Sequence, residues 1–524
     1  SSPTGSSSSA SKGRNFRMQE PVDSAGEKAG PREWTGLAIV VLPCLIYSMD
    51  LTVLYLAVPK IAADLNPSAS QLLWIVDIYG FLVAGSLVTM GTLGDRVGRR
   101  RVLLIVAGAF AATSVLAAYS TSAEMLIAAR ALQGIAAATL APSTLSLIRN
   151  MFHEPAERTR AIGLWVAAFS AGAAIGPVVG GVILEHFFWG AVFLINVPIM
   201  LALLVVGPLL LPEFRDDKAG RMDVVSAAQS VLAVLGVVYG LKESAENGLS
   251  LLSAIAIAIG ILIGIVFFRR QRRLSDPLID VSLFRAPAFS AALAVNIVGL
   301  FMLLGSFLFI VQYLQLVVGM GPLEAAIWTA PSGLVFAGGS LAAPVLVRKF
   351  QPVTIITCGL LLAAVGFVLL TQLSNVPSPW FLLAAMLTFC VGLAPFGTIT
   401  TDIVMTAAPP NRAGAASAVS ETSFEFGGAL GIAVLGSILT AVYRIEMGAV
   451  TFEGIAPEAI KAARDTLGGA VAAARSLNAE PGARLVGAAR EAFVHAFEVT
   501  AGISSVASVL AAFMAARILR ADKA

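Results

Sequence analysis

The sequence is poor in charged residues, cysteine and histidine, and each shortage excludes a class of protein. Only 13% of its 524 residues are charged, about half the share of an ordinary soluble domain. Three cysteines and three histidines, scattered along the chain, provide neither a disulfide framework nor a metal-ligand cluster. No phosphate-binding loop of the form G-x-x-x-x-G-K-[ST] occurs, which argues against ATP as an energy source. We therefore expect no cofactor, no metal and no enzymatic activity.

Long apolar runs dominate what is present. Hydrophobic residues make up 57% of the chain and the mean hydropathy is +0.85. The runs are too long, and alternate too little, to be strands of a membrane barrel. They predict an all-α membrane protein with 14 transmembrane helices. The predicted spans cover 34–57, 71–91, 102–120, 124–148, 161–184, 188–211, 224–242, 249–268, 288–317, 323–346, 352–373, 379–405, 413–441 and 494–519.

The distribution of lysine and arginine predicts the orientation. If the N-terminus is cytoplasmic, 26 basic residues fall on the cytoplasmic side, and the short outer loops keep only Lys60 and Lys242. This is the bias that positions multi-pass proteins in a membrane. We expect a protein of the bacterial cell (inner) membrane with both termini in the cytoplasm.

Two glutamates lie inside the predicted span 413–441. Glu421 and Glu425 are four residues apart, so they share one face of a helix. An ionised acid at the centre of the hydrocarbon costs at least about 2.5 kcal/mol, and two neighbouring acids also repel each other. Such a pair is tolerable where it faces a water-filled cavity and is neutralised by protons or by a bound cation. Hydrogen bonding to a neighbouring helix is the alternative.

Other ionisable residues also fall within predicted spans. At 1.5 Å per residue, Asp50, Asp77 and Arg130 reach similar depths in the outer half of the membrane, whereas Asp402 lies nearer the inner side. Either Asp50 or Asp77 could be a structural partner of Arg130. Aromatic residues close to these acids offer faces for a cation. The candidates are Tyr47, Trp74 and Phe424.

A glycine-rich, basic segment joins the second and third spans. It reads G-T-L-G-D-R-V-G-R-R-R from Gly91 to Arg101, and it resembles the loop signature of the major facilitator superfamily. The resemblance implies that Asp95, Arg96 and Arg99 latch helices at the inner gate. A plain positive-inside anchor is the alternative for the arginines.

Further motifs narrow the resemblance. Arg130-Ala-Leu-Gln-Gly looks like the family's intramembrane arginine motif, and the glycines around Gly176-Pro177 look like its antiporter motif. Pro177 removes a backbone hydrogen bond, and the small residues favour close helix packing, which is the alternative role for this strip. The first span, from Pro43 to Pro59, resembles the marker of the fourteen-helix drug:proton antiporters. The segments at 74–79 and 421–425 look most like QacA-type multidrug exporters.

The resemblance implies two six-helix pseudo-symmetric bundles plus two inserted helices. The expected divisions are a disordered N-terminal tail over 1–31, an N-terminal bundle over 32–211, two additional transmembrane helices over 212–269 and a C-terminal bundle over 270–524. The last contains a long outer connection over 444–492, which is either a small ordered cap or a mobile solvated loop.

The expected function is proton-coupled export of lipophilic cationic small molecules by alternating access. Protons would be handled by Asp50, Asp77, Arg130, Glu421 and Glu425. Substrate would meet Glu421, Glu425, Phe424, Tyr47, Trp74 and Asp77. Gating would involve Asp95, Arg96, Arg99, Gly176, Pro177 and Asp402.

Protons, membrane lipids and the exported cations are the expected partners, with no nucleic acid, and the protein is expected to be a monomer. The alternatives are an exporter of an endogenous metabolite, amino acid or lipid, and a membrane-embedded binding or sensor protein that does not transport.

Overall fold

The architecture comes from a computed structural model that describes residues 28–213, 223–248, 250–274, 277–407, 413–452 and 455–521. Within these residues the regular structure is entirely helical. The helices are α1 Pro31–Leu65, α2 Ala69–Val97, α3 Arg99–Ala118, α4 Ala123–Ala137, α5 Leu140–Met151, α6 Pro155–His186, α7 Ala191–Leu194, α8 Asn196–Leu210, α9 Val224–Asn247, α10 Leu251–Gln271, α11 Pro287–Gln312, α12 Pro322–Lys349, α13 Pro352–Leu370, α14 Pro379–Leu393, α15 Phe396–Ala407, α16 Ala413–Ala449, α17 Pro457–Asp465, α18 Leu467–Ala474 and α19 Ala479–Ala521.

Fourteen helical spans in the described residues are long and apolar enough to cross a membrane, which confirms the predicted fold class. Three spans are interrupted helices: α4–α5, α7–α8 and α14–α15. The span that begins with α11 ends in a π-helical turn at Tyr313–Val318. Of the predicted tail 1–31, residues 1–27 lie outside the described residues.

The spans form two six-helix bundles and an inserted pair. Helices α1–α8 build the first bundle, and α11–α16 with α19 build the second. The bundles meet where α2 packs on α16, α6 on α12 and α1 on α11. The inserted helices α9 and α10 pack closely on each other, and α9 also lies against α2 and α16. The residue limits given above for these units stay a prediction.

Small residues allow the closest helix contacts of the first bundle. Gly172, Gly176 and Gly180 of α6 lie directly against α1, and a methyl group at any of the three would collide with its neighbour there. Gly181 points the other way and meets Leu323 of α12. Since lipid supplies no hydrophobic drive between helices, such close backbone packing is what holds membrane helices together.

The long connection after α16 is an ordered helical cap, one of the two predicted alternatives. Helices α17 and α18 lie across the end of the molecule, where Tyr443 donates a hydrogen bond to the carbonyl of Ala463 (2.6 Å). Arg444 forms an ion pair with Asp465 (2.9 Å). Leu467, Gly468 and Ala470 of α18 are buried. We call this end the capped face, and the opposite end, where α1 begins and α19 ends, the basic face.

Candidate functional site

Arg130 is the centre of a buried polar network in the first bundle. It pairs with Asp50 of α1, and both side chains are almost completely shielded from solvent. Asn196 of α8 donates a second hydrogen bond to Asp50 (Nδ2 to Oδ1, 3.1 Å). Arg130 also donates to Gln133 (3.2 Å), and Gln133 donates to Ser114 (2.9 Å). Of the two predicted partners, Asp50 is therefore the acid beside Arg130.

The guanidinium of Arg130 lies between aromatic rings. Its Cζ is 4.3 Å from the ring centroid of Tyr79 and 5.7 Å from that of Phe193. A desolvated cation is attracted to such faces, so Arg130 is held on several sides. Gln133 belongs to the arginine motif of the sequence, but its contacts, and the residues Asn196 and Phe193, are not predicted by that motif. Only the polar character of Asn196 within an apolar span could have identified it.

Asp77 has a different partner, which the sequence interpretation placed in an outer loop. Lys242 lies inside α9 of the inserted pair, and its Nζ is 2.8 Å from Asp77. Neither side chain is exposed. The ammonium also lies 3.8 Å from the centroid of the Trp74 ring. The loop assignment of Lys242 is thus wrong: α9 continues to Asn247, which draws the lysine into the protein interior.

Glu425 connects the two bundles. Its carboxylate accepts a hydrogen bond from the Tyr47 hydroxyl of α1 (2.6 Å). The Tyr47 ring lies 6.1 Å from Tyr79 and 5.6 Å from Phe169, measured between centroids. Arg130, Tyr79, Tyr47 and Glu425 therefore form a continuous row of contacts, which joins the two polar regions across the bundle interface.

Glu421 lies one helical turn closer to the basic face and is exposed. Phe424, on the same helix, is partly buried and lies 6.3 Å from Phe396 between centroids. An apolar ring and an accessible carboxylate thus occur beside each other on α16. This arrangement can accept a lipophilic cation from the basic-face side.

A second polar cluster, missed in the sequence, lies behind these acids. Asn296 of α11 is fully buried and accepts a hydrogen bond from Thr400 of α15. Its amide nitrogen lies 3.5 Å from Ser420 Oγ and 3.4 Å from Ser423 Oγ. The cluster ties the acid-bearing turn of α16 to its neighbours.

Four of the predicted gating residues, Asp95, Arg96, Arg99 and Asp402, belong to the basic-face half, whereas Gly176 and Pro177 lie nearer the capped end of α6. Arg96 is exposed and Arg99 is buried, while the side chain of Asp95 lies outside the described part of the structure. Gly98 has a φ of +119°, a conformation that favours glycine. Asp402 is exposed on α15.

Glu213 is an unpredicted member of this region. Its carboxylate accepts a hydrogen bond from the Arg100 backbone (3.1 Å) and lies 3.6 Å from the Arg100 guanidinium. The segment after α8 is thereby joined to the start of α3. A single acid after an apolar span carries little signal, so Glu213 could not be selected from the sequence alone.

Gly176 and Pro177 are buried in α6 beside the turn of α1 that contains Met49 and Thr52. Asp50 belongs to the same turn of α1, and the gating role of Gly176 and Pro177 stays a prediction.

Comparisons with known proteins agree with this geometry. The family model of the Major Facilitator Superfamily matches residues 44–432. The chain is 43% identical to the multidrug efflux pump LfrA of Mycolicibacterium smegmatis, over 92% of this chain and 95% of that protein. It is 35% identical to the methyl viologen resistance protein SmvA of Salmonella typhimurium, over 91% and 96%.

Among solved structures, a bacterial homolog of the human lysosomal transporter Spinster has a similar fold. The TM-score is 0.66 at 20% identity, and the alignment covers 95% of this chain and 99% of that one.

Proposed function

Since the chain belongs to the Major Facilitator Superfamily and its relatives are multidrug efflux and resistance pumps, we propose that it is a proton-coupled antiporter of lipophilic cations. Quaternary ammonium compounds, dyes and antiseptics are the substrate classes. One relative is named for resistance to methyl viologen, which is a doubly charged aromatic cation. Two carboxylates on one helix face suit cargo of that charge.

The observation that carries the proposal is the placement of the two glutamates of α16. Glu425 contacts the opposite bundle through Tyr47, whereas Glu421 is accessible and nearer the basic face. A cation arriving from that face meets Glu421 first and reaches Glu425 next. Its binding displaces protons from the carboxylates, because acid and cation compete for the same oxygen atoms.

Alternating access supplies the return half of the cycle. When the site opens to the capped face, protons reload the glutamates and the cation leaves. In this proposal Asp50 is a further acid that takes up a proton. Arg130 keeps its charge throughout, so protonation of Asp50 breaks their ion pair. Arg130 then keeps its contacts with Gln133 and with the Tyr79 ring. The row of contacts from Arg130 to Glu425 connects Asp50 in the first bundle with Glu425 in the second, so loss of the ion pair can affect the glutamates directly.

The remaining features follow from the same proposal. The basic face is cytoplasmic and holds both termini, the membrane is the bacterial inner membrane, and each monomer transports on its own. Export of an endogenous metabolite, amino acid or lipid predicts a different selectivity. In that case an anionic compound would be driven across vesicle membranes as readily as a cation, and a panel of cationic, neutral and anionic dyes separates the two.

The first prediction concerns the glutamate pair. Glu421→Gln with Glu425→Gln removes both charges and keeps the side-chain volume, so we expect the folded protein to persist and pH-driven ethidium transport in liposomes to disappear. The measurement is ethidium fluorescence after an imposed pH gradient, with thermal unfolding as the check on folding. Glu446→Gln, near the far end of the same helix and half exposed, is the matched control and should transport normally. Undiminished transport by the double variant would refute the assigned role.

A further inference from the structure

The ion pair between Lys242 and Asp77 joins the inserted helices to the first bundle. Both side chains are completely buried, with the Lys242 ammonium 2.8 Å from the carboxylate and 3.8 Å from the Trp74 ring centroid. Around them lies an apolar cluster of Phe81, Val238, Ala429 and Ala433, with Trp74 packed against it. The three helices α2, α9 and α16 meet at this point.

The Lys242–Asp77 pair has few other hydrogen-bond partners, although both side chains are buried. Lys242 Nζ lies 2.8 Å from both Asp77 oxygens, and it is the one side-chain partner that Asp77 has among the described residues. Asp50, by comparison, is held by both Arg130 and Asn196. Burying two charges costs more than their attraction returns unless further hydrogen bonds complete the site. The pair is therefore poorly explained by stability alone. The side-chain partner of Asp77 is an ammonium group, which another cation could replace.

A carboxylate beside an indole face is the set of groups that binds organic ammonium ions. We propose that Asp77 and Trp74 form a cation site that the Lys242 ammonium occupies in this state, and that a monovalent organic ammonium occupies in another state of the transport cycle. The inference rests on the proposed function, because it assigns a second binding site to the same transported cation. It makes the inserted helices part of the transport machinery.

The position of the site indicates why Lys242 and the transported cation would exchange at Asp77. Lys242 lies near the end of α9 and Asp77 near the start of α2, so the site belongs to the capped-face half of the molecule. That is the side on which exported cargo leaves. A lysine tethered beside the site acts at a high effective concentration. It takes the place of the departing cation and prevents its return.

The test measures ethidium binding to the purified full chain by equilibrium fluorescence. Lys242→Met removes the competing ammonium and retains most of the stem, so ethidium should bind roughly tenfold more tightly. The gain should vanish in the double variant Asp77→Asn with Lys242→Met, which has no acid at the site. Lys60→Met, on α1 in the same half, is the matched control and should bind like the wild type.

An unchanged or weaker affinity in the folded Met variant overturns the inference and assigns the pair a structural role. Should that variant fail to fold, Lys242→Gln leaves Asp77 a neutral hydrogen-bond donor, and the same comparison decides. Transport by the wild-type protein is measured separately in liposomes under a pH gradient. Failure there counts against the proposed function, whereas a Lys242-independent affinity counts against this inference alone.

Discussion

Tyr47 is the residue through which the first bundle contacts the acids of the second. Its ring packs between Tyr79 and Phe169, and its hydroxyl donates to Glu425. The neighbouring Tyr79 is equally buried, but its hydroxyl has no hydrogen-bond partner among the described residues. Of these two tyrosines in contact, only Tyr47 donates a hydrogen bond to a carboxylate.

This difference gives a prediction at the scale of single atoms. Tyr47→Phe removes the hydrogen bond and keeps the ring, and a hydrogen bond to a charged group contributes about 1.5–3 kcal/mol. We expect ethidium transport at limiting substrate to fall roughly tenfold or more, since 1.4 kcal/mol corresponds to a factor of 10. Initial rates in liposomes measure it. Tyr79→Phe, which removes a hydroxyl without a partner, should change the rate little; equal losses in both variants would contradict the role given to Tyr47.

Single residues also show how far the sequence can be interpreted. It identified Asp50 and Asp77 as rivals for Arg130, but not the choice between them, because 80 residues separate Asp50 from Arg130 in the chain. The partner of Asp77 was missed for a related reason. A lysine at the end of an apolar run predicts a loop, and only the packing of α9 on α2 shows that Lys242 is buried.

At the scale of elements, α6 is the helix whose sequence most directly determines its packing. Gly172, Gly176 and Gly180 form one smooth strip against α1, beside the turn that contains Asp50. Gly163 lies on the same helix with nothing near the position of a Cβ atom. The motif in the sequence separates the strip from Gly163, and the structure gives the reason, because only the strip lies against a neighbouring helix.

The prediction for this element compares two glycines. In Gly176→Ala the new methyl group collides with Thr52 and lies 3.2 Å from Met49 Cα, so α1 and α6 must separate and Asp50 must shift. We expect a lower thermal midpoint and transport reduced by roughly tenfold, in line with the 1–3 kcal/mol of an overpacked contact. Gly163→Ala should leave transport unchanged and slightly favour the helix. Normal transport by Gly176→Ala would show that the strip is not tightly packed.

The transmembrane spans could be predicted from the length and hydropathy of the apolar runs. The breaks within the spans and the fold of the cap could not. All fourteen spans follow from apolar runs. The interruptions within them, such as the break between α4 and α5, leave no apolar gap and were not predicted. The sequence cannot decide between an ordered cap and a mobile loop over 444–492. Its alanine-rich segments favour helix, but their docking depends on contacts with α16 and α19.

At the scale of the whole molecule, the two bundles are joined at the capped face. Tyr55 and Phe307 lie 6.1 Å apart between ring centroids, and Gln315 donates to the carbonyl of Leu56 (3.2 Å). Gly468 of the cap lies against Ala62 of α1. The sequence could not predict this arrangement, because under the proposed alternating access the same helices with the same apolar faces serve every state.

If the capped face must open for cargo to leave, a covalent link across it should stop the cycle. A Cβ atom at Gly468 would lie 2.9 Å from Ala62 Cβ, close enough for a disulfide after a small shift. In a background with Cys44, Cys358 and Cys390 replaced by alanine, Ala62→Cys with Gly468→Cys should lose ethidium transport on oxidation and regain it on reduction. Liposome assays before and after dithiothreitol measure this.

The matched control places a disulfide at the same face without joining the bundles. A Cβ atom at Gly482 of α19 would lie 3.6 Å from Ala474 Cβ of α18, so Ala474→Cys with Gly482→Cys should also cross-link. Because α18 belongs to the cap and α19 to the second bundle, this link does not join the two bundles and should leave transport intact. Full activity of the oxidised Ala62–Gly468 pair would mean that α1 and the cap stay together throughout the cycle, and release to the capped face would then need another route.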